Sequence, residues 1–96
     1  MRRRNAEAVG DVVREFLRQE GLETPYNEYR LVASWPDVVG QAIASMTQDI
    51  VIRNRVLYVR LRSSVVRQEL MYGRRQLVQR MNNHVGAQVI DNIVFS

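Results

Sequence analysis

The alternation of apolar and polar residues is clearest between residues 49 and 62. Two runs, DIVIR and VLYVRLR, flank the dipeptide Asn54-Arg55. A two-residue loop of this kind joins two antiparallel strands into a hairpin, because asparagine tolerates the positive φ that the turn needs. The loop fixes the register, and one face of the hairpin is then apolar. On that face, Ile52 pairs with Leu57 and Ile50 pairs with Val59.

The opposite face of the predicted hairpin carries an aromatic ring and several guanidinium groups. Its cross-strand pairs are Arg53 with Val56, Val51 with Tyr58, and Asp49 with Arg60, and Arg62 continues this face beyond the pairing. A slip of one residue would exchange the two faces, so the register is strongly specified.

Three helices are predicted before the hairpin, because apolar residues recur there at helical spacing. The first covers residues 5–20 and ends at Gly21 in a left-handed conformation. The second begins with Thr24 as its cap and runs to about Ser34, and the third follows a break that Pro36 imposes. A chain of this length has little apolar surface to spare, so we expect the first helix to pack in the core.

One long helix and a final strand are predicted after the hairpin. Ser63 or Ser64 caps the helix, which extends to about Asn82, and Gly86 ends this region. The segment QVIDNIVF then forms a strand. Its inward residues are Val89, Ile93 and Phe95. The order α-α-α-β-β-α-β predicts an α+β domain in which helices cover one face of a small three-stranded sheet.

Length and composition predict one domain over residues 5–96, preceded by a flexible basic arm at residues 1–4. The absence of cysteine and the single histidine, His84, argue against a metal site. No catalytic constellation and no phosphate-binding glycine loop is present, so we expect a protein that is not an enzyme and needs no cofactor. No apolar run approaches the roughly 20 residues that span a bilayer, which favours a cytoplasmic location.

The charge is distributed unevenly along the chain. All fourteen basic residues are arginine. Residues 1–40 hold six arginines and seven acids, whereas residues 41–96 hold eight arginines and three acids. A compositional bias toward arginine would explain the absence of lysine, but it would not explain this asymmetry. The basic second half is typical of a polyanion-binding surface.

The hairpin, its loop and the helix after it supply the predicted nucleic-acid-binding residues. Guanidinium groups suit phosphate, and a tyrosine ring can stack on a base or lie against a sugar. These residues are Arg53, Arg55, Tyr58, Arg60, Arg62, Arg67 and Arg74. One alternative is a solvated face whose charge discourages aggregation of the sheet. Another is a protein adaptor that docks through the helical N-terminal half.

Several segments, taken in order, resemble the DciA-like family of bacterial proteins. The segment WPDVVG at residues 35–40 is similar to the family signature W-x-x-[IV]-V-G. The segment VLYV at residues 56–59, with Ser63-Ser64 and Gln68-Glu69-Leu70 after it, resembles the family's central motif. The closing pattern is matched by Met81-Asn82, Val85-Gly86, Ile93 and Phe95. The resemblance spans residues 22–95, and the leading helix fits the short members of the family.

This resemblance implies a domain similar to the KH fold, binding of single- or double-stranded DNA, and a role in recruiting or loading the replicative DNA helicase. The helicase would then be a protein partner. The alternative is RNA binding, since such proteins have also been described as possible RNA-binding proteins. Neither a membrane nor a small-molecule substrate is expected as a partner. The sequence departs from true KH domains because it has no G-x-x-G clamp. Arg55 also stands where family members often have glycine.

Overall fold

A computed structural model describes the backbone of residues 2–96 and the side chains of residues 9–96. The elements are α1 (Arg2–Gln19), α2 (Glu23–Ala33), α3 (Trp35–Val39), α4 (Gln41–Ser45), β1 (Thr47–Arg53), β2 (Val56–Leu61), α5 (Ser64–Tyr72), α6 (Arg74–Val85) and β3 (Asn92–Phe95). The predicted α+β class and the order of helices and strands are confirmed. Two predicted helices are each divided by a short break, one at Gly40 and the other at Gly73.

The strands form one mixed sheet with β2 in its centre. β1 lies antiparallel to β2, and all five predicted cross-strand pairs of the hairpin are confirmed. The loop residues Asn54 and Arg55 have φ values of 51° and 66°, as a two-residue hairpin turn of this type requires. β3 lies parallel to β2 on its other edge. A parallel pair needs a long crossover, which α5 and α6 provide.

The core lies between one face of the sheet and the helices. Buried side chains come from β2, from β3 and its preceding segment, and from α2, α3 and α6; they are Leu31, Trp35, Val38, Leu57, Val59, Leu61, Leu77, Val78, Met81, Val85, Val89, Ile90 and Ile93. Phe95 packs partly buried against this core, and the predicted burial of Val89, Ile93 and Phe95 is confirmed. The strand itself is shorter than the predicted segment 88–95, because it covers only Asn92–Phe95 and Val89 precedes it. The indole Nε1 of buried Trp35 donates to Thr47 Oγ1 at 3.0 Å, which anchors α3 to the start of β1.

Hydrogen bonds at the helix termini explain where α1 ends and where α2 and α5 begin. The amide of Leu22 donates to Leu17 O at 2.8 Å, and Gly21 has a φ of 70°, so the predicted left-handed end of α1 is confirmed. Ser63 caps α5, because its Oγ accepts from the amide of Val66 at 3.2 Å. Thr24 was the wrong cap for α2. The helix begins two residues earlier than predicted, at Glu23 after Leu22, because Leu22 O already accepts from the amide of Tyr26.

The prediction that α1 packs in the core is wrong. α1 packs on α2, and its apolar residues Val9, Val12, Val13 and Phe16 are exposed. The core side of the sheet is covered by the other helices, and α1 contacts α2 instead. The predicted arm at residues 1–4 stays a prediction, since Met1 and the side chains of residues 2–8 lie outside the described part. In that part, no helix is both long enough and apolar enough to cross a membrane.

Candidate nucleic-acid interface

The face of the sheet opposite the core presents the polar residues of the hairpin. Side chains alternate along a strand, so the burial of Leu57 and Val59 turns Tyr58 and Arg60 toward the other side. Arg60 is exposed, and Tyr58 exposes 40% of its surface. Arg53 is exposed at the end of β1. The hydrophobic pattern alone therefore sets the direction of these three side chains.

The three residues line one shallow depression of about 360 Å³, together with Asp49, Val51, Asn54 and Ser96. We call Arg53, Tyr58 and Arg60 the sheet-face cluster. Arg53 lies level with Val56 in the hairpin register, two residues before Tyr58, whereas Arg60 lies two residues after it. The two arginines are thus separated by about 13 Å along the strand direction. An aromatic ring lies between two cationic groups, which is an arrangement suited to a phosphodiester chain and its bases.

The sheet-face cluster keeps a net positive charge. Among the residues with described side chains, neither Arg53 nor Arg60 takes part in an ion pair. Asp49 lies opposite Arg60 in the register, and its Oδ1 accepts instead from the amide of Ile50 at 3.0 Å. Among the side chains that line the depression, two carry a guanidinium group and one carries a carboxylate.

Arg55 lies outside this cluster, although it was predicted with it. Its Nε and Nη2 donate to the two carboxylate oxygens of Asp91, each at 2.9 Å. The hydrogen bond from Arg55 lowers the pKa of the Asp91 carboxyl, and the same contact raises the pKa of Arg55. The amide of Asp91 also donates to Arg55 O at 2.8 Å. Arg55 thus fastens the hairpin loop to the segment before β3, and its role toward nucleic acid stays a prediction.

The other predicted arginines follow β2. Arg62 is exposed directly after the strand, where its amide donates to Met46 O at 3.0 Å. Arg67 is half-buried in α5, and Arg74 is the exposed first residue of α6. The proposal that these three residues extend the sheet-face cluster stays a prediction.

Two arginines that the sequence did not single out support the packing of helices. Arg30 Nη1 donates to Val85 O at 3.2 Å, and Arg80 Nη2 donates to Val38 O at 2.7 Å. Both carbonyls lie at the end of a helix, where backbone acceptors lack partners within the helix. Part of the arginine content therefore serves the fold. Because these contacts join residues 42 and 55 positions apart, no local pattern indicated them.

Val94 is a further residue of the open face that sequence analysis missed. It lies beside Tyr58 in the parallel pairing of β2 with β3 and is exposed. Its side chain widens the apolar surface next to the ring. The alternation along β3 indicated that Val94 points away from the core, but only the strand pairing places it beside Tyr58.

The chain matches a known family over nearly its whole length. The family model described as "Dna[CI] antecedent, DciA" matches residues 8–95. No curated protein matches the sequence. In the described part of the chain, no group of three or more His, Cys, Asp or Glu residues is arranged to hold a metal ion. The chain belongs to the DciA family, which is associated with the replicative helicase.

Proposed function

We propose that this protein is a non-catalytic DNA-binding module that assists the recruitment or loading of the replicative helicase. Family membership supports the helicase as a partner. The observation that carries DNA binding is the grouping of Arg53, Tyr58 and Arg60 around one depression on the side of the sheet opposite the core. The similarity to KH domains stays part of this proposal.

The chemistry of the sheet-face cluster suits binding with little sequence preference. Arg53 and Arg60 would bind phosphates, and Tyr58 would stack on a base or lie against a sugar. Arg62 and Arg67 would extend the contact along the backbone. Direct reading of duplex sequence needs side chains that contact base edges in a groove, and nothing in the sequence resembles a recognition helix with such a set. We therefore expect similar affinity for DNA of different sequences.

A fluorescence anisotropy titration with labelled duplex DNA at a series of salt concentrations tests this proposal. If Arg53, Arg60, Arg62 and Arg67 each neutralise a phosphate, the slope of log K against log salt is near −3.6, from about −0.9 for each of roughly four contacts. Binding that does not change with salt would contradict the proposal. Competition among single-stranded DNA, duplex DNA and RNA at one ionic strength decides which nucleic acid is preferred, and preference for RNA would favour an RNA-binding regulator.

A protein adaptor is the second candidate function, because aromatic residues of the helical half are exposed. Phe16 exposes 55% of its surface, Tyr29 exposes 74%, and Tyr26 is also exposed. Such rings are typical of protein interfaces. Pull-down of the replicative helicase with the wild type, a Tyr26→Asp/Tyr29→Asp variant and an Arg53→Glu/Arg60→Glu variant tests this role. Loss in the tyrosine variant alone would support an adaptor surface separate from the sheet.

A further inference from the structure

The apolar stripe of α1 lacks a partner within the described part of the chain. Val9, Val12, Val13 and Phe16 expose between 48% and 68% of their surface. At 100° per residue, these four positions fall within an arc of about 100° on the helix. The opposite side of α1 is polar and carries the ion pairs Arg14–Asp11 and Arg18–Glu15. The helix is therefore amphipathic, and its apolar side faces solvent.

The domain itself does not cover this stripe. α1 packs on α2, and the side of α1 that faces the body of the protein carries Gly10, Arg14 and Leu17. These residues line a cavity of about 590 Å³ together with residues of α2 and the end of α6. Val13 belongs to both surfaces, whereas Val9, Val12 and Phe16 lie to one side of the cavity. A second molecule could reach them without displacing α2.

We propose that α1 pairs with α1 of a second copy of this chain in antiparallel orientation. A two-fold axis between Val12 and Val13 sets Val12 of each copy against Val13 of the other copy. The same axis sets Val9 against Phe16, so a large side chain meets a small one at both ends of the seam. Such an interface is isologous, because each contact occurs twice with the partners exchanged.

The charge along α1 favours the antiparallel orientation. In the sequence, residues 2–8 contain three arginines and one glutamate, a net charge of +2. The proposed axis sets residues 2–8 opposite residues 17–23, which contain two glutamates and one arginine, a net charge of −1. These residues are the end of α1, the turn after it and the first residue of α2, so the basic start of each α1 lies level with an acidic region of the other copy. A parallel pair would set like charges against each other, which is unfavourable between neighbouring helices.

The seam is short, so the association is expected to be weak. A stable interface buries about 800 Å² on each partner, and four apolar side chains supply only part of that area. A dissociation constant in the micromolar range, about 1 to 100 μM, fits an interface of this size.

Sedimentation velocity of the full chain tests the dimer, at protein concentrations that span the expected dissociation constant of about 1 to 100 μM. We expect the wild type to change from monomer to dimer and Val12→Glu to remain monomeric throughout. Val65→Glu is the matched control, because Val65 in α5 is 69% exposed and Val12 is 68% exposed. Circular dichroism verifies that both variants are folded. A wild type that is monomeric at every concentration, or equal behaviour of the two variants, would overturn the proposal.

The absence of cysteine from the chain allows the orientation to be tested by disulfide formation. Cysteine at position 12 lies next to the axis, so Val12→Cys is expected to form a covalent dimer. The two copies of position 9 lie about 10 Å apart along the direction of the helices, which is too far for a disulfide. Val9→Cys alone should form no disulfide, whereas a mixture of Val9→Cys and Phe16→Cys should crosslink. Faster crosslinking of Val9→Cys than of Val12→Cys would overturn the antiparallel arrangement.

Discussion

At the scale of single residues, the arginines divide into groups with different tasks. Arg30 and Arg80 donate to carbonyls at helix ends, and Arg55 is held by Asp91. Arg53 and Arg60 have no such partner among the residues with described side chains and lie on the open face of the sheet. Composition alone could not separate these groups, because every one of them is the same residue type. The contacts identify which arginines are available to a ligand.

Charge reversal of the sheet-face cluster should weaken DNA binding. We expect Arg53→Glu/Arg60→Glu to lower the affinity at least tenfold (about 1.4 kcal/mol), because two phosphate contacts become repulsive. The control is Arg14→Glu/Arg18→Glu on α1, which changes the net charge by the same amount. Fluorescence anisotropy at fixed salt measures both variants. Equal loss in the two variants would show that only the total charge matters.

The ring of Tyr58 should contribute to binding of single-stranded DNA. Stacking on an aromatic side chain is worth about 1–3 kcal/mol per base. Tyr58→Leu should therefore weaken binding by roughly tenfold, whereas Tyr58→Phe keeps the ring and should bind normally. Tyr29→Leu, at an exposed tyrosine of α2, serves as the control. Unchanged affinity of Tyr58→Leu would assign the ring a role in the fold only.

At the scale of the elements, β3 is held in place by side chains outside it. Buried Asn82 in α6 donates through Nδ2 to Ile90 O at 2.9 Å. Its Oδ1 accepts from the amides of Val89 and Ile90 at 2.9 and 3.1 Å. One asparagine thus satisfies three backbone groups of the segment that leads into the strand. Arg55 and Asp91 form a second attachment at the surface.

Replacement of Asn82 should destabilise the protein. Asn82→Ala leaves three backbone groups near the core without a partner, and we expect the free energy of unfolding to fall by about 3 kcal/mol. Asn83→Ala changes an exposed neighbour in the same helix and should have an effect below about 0.5 kcal/mol. Urea unfolding followed by the fluorescence of Trp35, the one tryptophan, measures both. A small and equal effect in the two variants would contradict this role.

The Arg55–Asp91 pair should give a pH-dependent contribution to stability. The pKa of Asp91 is lowered in the folded protein, so the pair stabilises the fold above the pKa of the unfolded chain. That contribution is lost as the pH falls through the lower, folded pKa. Asp91→Asn should therefore lower the unfolding midpoint slightly at neutral pH and leave it unchanged in strong acid. A difference that persists in strong acid would have another cause.

Local patterns predicted the hairpin completely but could not place α1. The register of β1 and β2 follows from a two-residue loop and a two-residue alternation, which are both properties of neighbouring residues. The amphipathic pattern of α1 predicted a helix with an apolar side, but not what that side contacts. The break at Gly40, where φ is 91°, was also missed, because glycine is tolerated within helices as well as at their ends. The side of the sheet that stays open was predicted, whereas the engagement of Arg55 by Asp91 was not.

At the scale of the whole molecule, the two proposed surfaces lie on different parts of the fold. The sheet-face cluster belongs to the hairpin, and the apolar stripe belongs to α1, which contacts the rest of the protein through α2. The molecule is elongated, with extents of 49 × 28 × 21 Å. Variants of one surface should therefore leave the other intact, because distant substitutions act independently.

This independence gives a test at the level of the molecule. Val12→Glu should abolish self-association and bind a short DNA, too short for two copies, with wild-type affinity. Arg53→Glu/Arg60→Glu should lose DNA affinity and keep the concentration-dependent sedimentation of the wild type. If either variant loses both properties while it remains folded, the two surfaces are coupled.

The position of β2 between an antiparallel and a parallel neighbour has a consequence for the order of assembly. Its pairing with β1 closes a loop of two residues, whereas its pairing with β3 joins positions 36 residues apart, such as Leu57 and Ile93. Short closures form quickly, and distant ones cost more chain entropy. The hairpin should thus form before β3 pairs with β2, and one edge of β2 should stay unpaired during that interval. A strand from another molecule could occupy that edge during refolding, so crowded refolding mixtures should yield strand-exchanged species that dilute mixtures lack.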